Sequence, residues 1–281
     1  MIRGVLRYMM KVDKEKCIGC GLCVKDCFVR DIKLVDKKAE IANERCFKCG
    51  HCIAICPMNA VSTDEYNMDD VKEYDKETFN IEAENLLNFI KFRRTVRSFK
   101  EKDVENEKLL KIIEAGRFTQ TATNSQDVSY VVVKEKIEEL KELVLEGLKK
   151  SGEYILNSED ENLKKYRMYA EMWISMYNGY KEDPKGADRL FFNAPAVIVT
   201  VSNTQVNASL ASSNMELMTD ALGLGTFFSG FFVKAANENK NIKEFLGLKE
   251  SDQIVTCMVI GYPNVTYKRT VPRKDAVISW K

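Results

Sequence analysis

The sequence predicts an α+β protein in two parts, a small cysteine-rich region followed by a mixed helix-and-sheet domain of about 200 residues, large enough to bury its own core. Three observations predict it. Eight of the nine cysteines fall between Cys17 and Cys56, and only Cys257 lies beyond them. An acidic, polar stretch from Thr63 to Asn80 lacks any strong period and reads as a surface linker. Past it, short β-branched runs alternate with stretches of helical period.

Composition excludes several classes. The 281 residues carry 43 basic and 42 acidic side chains, which argues against nucleic acid or an anionic membrane as the main partner. The longest apolar stretches, Leu190 to Val201 and Phe227 to Ala236, are broken by Asn193, Pro195 and Lys234 and fall short of the roughly 18 residues a spanning helix needs. Met1 to Met10 holds Arg3 and Arg7 but no apolar core of signal-peptide length, so no export signal is expected, and Met9 or Met10 could equally start the chain. Regularly spaced cysteines without an export signal point to a reducing cytoplasm, with thiolates held by metal rather than joined as disulfides.

Taken in order, Ile32 to Ile41 reads as a hairpin turning at Asp36 to Lys38. Ala83, Leu86, Leu87 and Ile90 recur at helical spacing, as do Leu109, Ile112 and Ile113 before a stop at Gly116. Val128 to Lys134 is a strand; Ile137, Leu140, Val144 and Leu148 mark an amphipathic helix. A polar helix is expected over Asn162 to Tyr180, then a strand at Ala196 to Val201. A helix with Leu210, Asn214, Leu217 and Ala221 on its apolar stripe follows, and a last strand at Ile254 to Ile260. Asn214 on that stripe needs hydrogen-bond partners if buried. Cys257, inside an apolar strand, is expected to be core packing.

The cysteines form an internal repeat. Cys17-Ile-Gly-Cys20-Gly-Leu-Cys23-Val-Lys-Asp-Cys27 is echoed by Cys46-Phe-Lys-Cys49-Gly-His-Cys52-Ile-Ala-Ile-Cys56, with 18 residues between. In C-x2-C-x2-C-x3-C the first three thiolates wrap one iron–sulfur cluster and the fourth points to another. Gly19, Gly21 and Gly50 let the loops curl so that backbone N–H groups reach sulfur. Zinc instead prefers paired C-x2-C knuckles with longer separations. Few residues here are apolar, so the cofactors must supply much of the core. His51 is read as solvated or as lying just outside the ligand set, because cysteine fills all eight positions.

This region resembles bacterial ferredoxins that bind two [4Fe–4S] clusters, with Phe28 in place of the proline usual after the fourth cysteine. The resemblance implies Cys17, Cys20, Cys23 and Cys56 around the first cluster and Cys46, Cys49, Cys52 and Cys27 around the second. With the polar stretch and the helical period that follows it, the expected boundaries are 11–63 for a ferredoxin-type domain, 64–80 for the linker and 81–281 for the second domain.

In the second domain Arg93, Arg94, Thr95 and Arg97 place three guanidinium groups within five residues. Alternating extension would point Arg93, Thr95 and Arg97 the same way, toward an anion with several oxygen acceptors; alone, the segment could equally be a solvated basic stretch. Gln120 to Gln126, Ala221 to Phe231 with its Gly-Leu-Gly, Gly261-Tyr-Pro263, Lys268-Arg269 and Arg273-Lys274 follow in turn. In combination this order resembles the nitroreductase family over residues 83 to 281.

The resemblance implies an FMN-binding α/β sandwich acting as a homodimer, with FMN at the subunit interface. It further implies that Arg93, Arg94 and Thr95 serve the phosphate and ribityl end and that Arg97 lies near the flavin N1 and O2. Thr121, Ala122 and Asn124 would be offered by the other subunit, and the backbone of Ser229 and Gly230 would face the ring and donate toward N5. Arg273 best matches the late phosphate-binding base, with Arg269 in reserve. The usual serine pair is Thr121 and Ala122 here, and the usual Pro-Trp is Asp127-Val128. Phe227, Phe228, Phe231 and Phe232 are expected mainly in the core.

Together the halves predict an FMN-dependent oxidoreductase. Its clusters would relay electrons from a ferredoxin-like donor or NAD(P)H to FMN, which reduces a nitroaromatic, quinone or activated alkene. An electron-transfer or redox-sensing protein acting on a partner protein is the alternative.

Overall fold

The computed structural model describes residues 9–281; Arg3, Arg7 and the expected absence of an export signal lie outside the described residues. The chain divides into two compact units. One holds the described residues through Ile81 together with Ala122–Ser125, the other Glu82–Thr121 and Gln126–Lys281.

The first unit runs β1 (Met10–Val12), α1 (Leu22–Asp26), β2 (Ile32–Val35), β3 (Lys38–Ile41), α2 (His51–Ala54), β4 (Val61–Thr63) and α3 (Lys76–Phe79). β1 pairs antiparallel with β4 and β2 with β3. Asp36 and Lys37 turn the β2–β3 hairpin with φ of 49° and 58°, the double left-handed conformation that matches strand twist.

The repeat in sequence is a repeat in backbone. Gly21 and Gly50 cap α1 and α2 at φ of 75° and 73°. A Cβ on Gly19 would stand 2.0 Å from the Lys37 carbonyl oxygen, so only glycine fits there. The apolar core is small, centred on Cys17, Ile32, Ala39 and Ala60. The stretch read as a linker forms a 3-10 turn at Met68–Asp70 and the short α3, neither with a buried residue.

The second unit runs α4 (Ala83–Phe92), α5 (Asn106–Arg117), β5 (Ser129–Val133), α6 (Ile137–Asn157), α7 (Arg167–Glu182), β6 (Ala196–Val201), α8 (Gln205–Ala221), β7 (Gly225–Phe228), α9 (Gly230–Glu238), α10 (Lys240–Phe245) and β8 (Ile254–Gly261). The sheet order is β5-β6-β8-β7, every pair antiparallel, which makes the unit α+β. All six residues of β6 are buried because helices cover both faces. Val197, Val199 and Val201 pack with α6, α7, α9 and α10, while Ala196 and Ile198 pack with α5 and α8. Cys257 sits fully buried in the first of these cores, as expected.

Three expectations need correction. Gly116 does not stop α5 but lies within it, where a Cβ would meet the Tyr130 hydroxyl at 2.7 Å and the Met215 sulfur at 2.8 Å; it is a close-packing residue. The polar helix begins later, at Arg167, after a 3-10 segment over Glu161–Tyr166. α8 is in place but turned: its buried face is Asn207, Ala208, Ala211, Ser212, Met215 and Thr219, and Leu210 is exposed. Small side chains let that face close on the sheet. α4 forms as its spacing predicts, and its apolar stripe of Leu86, Leu87 and Ile90 is exposed.

Candidate functional site

Within the first unit the eight cysteines separate into two fours. A cavity of about 380 Å³ is lined by Cys17, Cys20, Cys23 and Cys56, and one of about 430 Å³ by Cys27, Cys46, Cys49 and Cys52. Each four thus takes three cysteines from one half of the repeat and the fourth from the other. Electrostatics give the same grouping. Burial raises the Cys23 thiol, with Cys17 and Cys20 adding to it. The Cys46 thiol is likewise raised by burial, with Cys49 and Cys27 among its neighbours. Cys52 is pushed up to about 12 by burial, then by Cys46 and Cys49. Among the described residues no three such side chains converge as they would on a single metal ion; the thiols stand around a space.

Backbone amides already point at sulfur. The N–H groups of Ala39 and Ala60 donate to Cys17 and Cys56 at 3.4 and 3.3 Å, and those of Asp31 and Lys48 to Cys27 and Cys46 at 3.4 and 3.3 Å. The Ala39 bond is the main reason the Cys17 thiol lies below its ordinary value. These donors fit a group that concentrates negative charge on sulfur. His51 is exposed and bonds Asp26 Oδ2 at 3.0 Å, away from any ligand role. Phe28 is exposed, its ring 6.4 Å from Phe47.

Sequence reasoning passed over Asp31. It is buried at the position where the other half has Ala60, its Oδ1 accepts the Arg45 N–H at 3.2 Å, and its Oδ2 has no partner among the described residues. Aligning the two halves residue by residue would have exposed the substitution.

In the second unit a cavity of about 700 Å³ opens beside the α9 N-terminus, lined by Arg97, Arg189, Ser229 and Gly230 together with aromatic and methionine side chains. The segment bearing Arg97 is held along β7 by the Val96 N–H bond to the Thr226 carbonyl at 3.0 Å. Gly225 permits that approach, since a Cβ there would lie 2.7 Å from Val96 Cγ2. Gly223, at φ of 72°, turns the chain out of α8, so both glycines of the Gly-Leu-Gly have a separate use.

The three clustered arginines do not act as one row. Arg93 pairs with Glu216 on α8, and Arg94 turns back onto the Lys91 and Phe92 carbonyls. Of the three, only Arg97 lines the cavity, its guanidinium 5.6 Å from the Phe227 ring centre. Thr95 bridges to Thr226, and its carbonyl accepts the Tyr267 hydroxyl at 3.2 Å. Next to Arg93, burial raises Glu216, and burial with Glu216 nearby pushes Asp220 up to about 6.

Ser229 caps α9, but its N–H is taken by the Cys257 carbonyl at 2.9 Å. Gly230 is the first residue of the helix, and a Cβ on it would meet nothing within 4 Å. An added side chain would therefore fill the space a flat ring needs, so the residues fit a bound flavin. The expectation that the four phenylalanines are core holds for Phe227 and Phe232, which are buried; Phe228 is exposed, Phe231 half-buried, and both line the cavity.

The segment from Thr121 divides its duties. Thr121 Oγ1 accepts the Gln126 N–H at 2.9 Å, while Asn124 Nδ2 donates to the Phe47 and Lys48 carbonyls at 3.1 Å each, inside the Cys46–Cys49 loop. Asp127, where the resemblance expects proline, accepts from Ser202 and the buried Asn207 at 2.7 Å. Asn214 donates to Thr119 Oγ1 at 2.7 Å, the partner its position demands. Arg269 and Arg273 lie exposed in the extended segment after β8.

Comparison with known proteins agrees with this geometry. Residues 90–262 match the nitroreductase family and residues 9–57 match a 4Fe-4S dicluster domain. A solved nitroreductase with bound FMN from Desulfitobacterium hafniense is 25% identical, with 69% of this chain and 97% of that one covered at a TM-score of 0.52. One from Bacteroides fragilis, also with bound FMN, shares the fold at 18% identity and the same TM-score, covering 70% and 98%. A protein of Archaeoglobus fulgidus, provisionally described as an NADH dehydrogenase/NAD(P)H nitroreductase, is 22% identical over 184 residues, 64% of this chain and 86% of its own. Well over half of the chain matching one family, around a cavity that suits a flavin, means that the protein belongs to the nitroreductase family, as an FMN-binding oxidoreductase with a 4Fe-4S dicluster domain preceding its catalytic domain.

Proposed function

We propose that the protein is a cytoplasmic reductase of small organic acceptors, fed through two [4Fe–4S] clusters by a ferredoxin-like donor or NAD(P)H. The observation that carries this reading is the separation of eight cysteines into two fours, each drawn from both halves of the repeat, in one chain with a flavin-family domain. When bound, the clusters supply single electrons and FMN supplies two-electron reduction of a nitro group, quinone or activated alkene.

The chain's own residues do the positioning. Cys17, Cys20, Cys23 and Cys56 hold one cluster, and Cys27, Cys46, Cys49 and Cys52 the other. The four sulfur-directed amides disperse thiolate charge. Gly230 would offer its N–H at the α9 N-terminus, and Arg97 would set a fixed cation toward a bound flavin, where it would favour negative charge. Thr95, Arg94 and Arg273, or Arg269, serve the phosphate end; Arg93 joins them only by leaving Glu216. Thr121 and Ala122 come from the second subunit of a homodimer, and Asn124 steadies the Cys46 loop. The exposed apolar face of α4, with Leu86, Leu87, Ile90 and Phe92, supports that dimer. The working boundaries remain 11–63, 64–80 and 81–281.

Anaerobic turnover of a nitroarene by wild type and Cys46→Ser tests the relay. With reduced ferredoxin as donor, turnover is expected to collapse in the variant, while dithionite, which reduces the flavin directly, still supports it. Undiminished ferredoxin-driven turnover in Cys46→Ser would overturn the relay.

A further inference from the structure

The flavin-side cavity contains a cation that nothing above employs. Arg189 lines it, exposed, and makes no hydrogen bond or ion pair among the described residues. None of the side chains lining the cavity is acidic. Arg97 is the other cation there, so the lining carries two positive charges without a protein counter-charge.

The backbone beneath Arg189 is built with care. Asp188, its neighbour, is a buried carboxylate whose Oδ1 accepts the N–H groups of Leu190 and Phe191 at 3.0 and 2.9 Å, and whose Oδ2 accepts that of Asn193 at 2.9 Å. Lys141, also buried, pairs with Asp188 at 2.9 Å. Phe192 and Asn193 sit at φ of 55° and 56°, and Phe192 packs edge-on against Phe227 at 5.4 Å. A buried ion pair is costly unless its surroundings satisfy it, and here it fixes one short loop that presents Arg189 and Phe192 to the cavity.

We propose that Arg189 receives the carboxylate of a planar aromatic acceptor, so that the reductase selects anionic over neutral substrates. The inference rests on the reading of this cavity as the flavin and acceptor site. A flavin held here would take Arg97 as its counter-charge; the second cation is left for the acceptor, beside whose ring Phe228 and Phe231 would supply an aromatic lining. A guanidinium binds a carboxylate through two parallel hydrogen bonds, which a neutral amide cannot match.

The test uses the FMN-loaded full chain under anaerobic conditions, with 4-nitrobenzoate and its neutral isostere 4-nitrobenzamide. Dissociation constants come from perturbation of the flavin absorbance, and turnover is measured separately. Wild type is expected to prefer the benzoate by about tenfold or more, Arg189→Gln to bring the ratio near one, and Arg189→Lys to recover part of it. No preference in wild type, equal weakening of both acceptors, or loss of FMN from the glutamine variant would overturn the proposal. Preferential binding of the benzoate without reduction of either acceptor would overturn the proposed reaction while upholding the role of Arg189.

Discussion

Gly230 shows how much of this site rests on a missing side chain. Its Cβ position is open, in contrast to Gly225 or Gly116, where an added atom would collide with Val96 or Met215. Gly230→Val should therefore fold with a melting temperature within a few degrees of wild type but retain FMN at least tenfold more weakly, as read from flavin fluorescence after desalting. Retention of FMN at wild-type affinity would remove Gly230 from the flavin face. Asp220 offers a second test at this scale. Burial and Glu216 push its carboxyl up to about 6, above the ordinary 3.8, so the fold favours the protonated form. The stability this group contributes is complete below about pH 4 and is lost as pH rises through about 6. Asp220→Asn should match wild type near pH 4 and exceed it at pH 8 by about 1 to 3 kcal/mol, measured by melting across that range; an identical pH dependence would contradict the assignment.

At the scale of elements, the loop between α7 and β6 depends on one buried pair. Asp188→Ala removes the acceptor of three backbone N–H groups and leaves Lys141, among the described residues, with Glu138 as its one carboxylate, at 2.8 Å but largely in water. We expect a loss of about 3 kcal/mol or more, with faster hydrogen exchange at 189–193; a change under 1 kcal/mol would contradict the loop's dependence on this pair. What the sequence revealed of the elements follows physical lines. β6 and β8 are continuous β-branched and apolar runs and stand where periodicity puts them. The buried face of α8 was not legible, because alanines, serines and an asparagine pack it and carry little hydrophobic signal. α4 stands where its helical spacing puts it, with its apolar stripe uncovered among the described residues.

For the whole molecule, spacing alone was enough to read the cluster region, since ligand geometry constrains cysteines far more tightly than a core constrains leucines. The flavin site was less legible. The three arginines proposed for it lie within five residues in sequence yet diverge in space, Arg93 to Glu216, Arg94 to the Lys91 and Phe92 carbonyls and Arg97 to the cavity. Arg189 and Asp31 gave no motif, because what marks them, a place on the cavity lining and a buried carboxylate, is supplied only by the folded chain. The central proposal is that one chain carries both kinds of redox centre and passes electrons from one to the other. It is tested most directly by anaerobic reductive titration of the cluster-reconstituted protein, followed by optical and EPR spectroscopy with iron, sulfide and FMN counted per chain. The account predicts about eight iron atoms and one FMN, with flavin reduced through the clusters by a ferredoxin. Zinc in place of iron, or flavin that stays oxidised while the clusters are reduced, would contradict it.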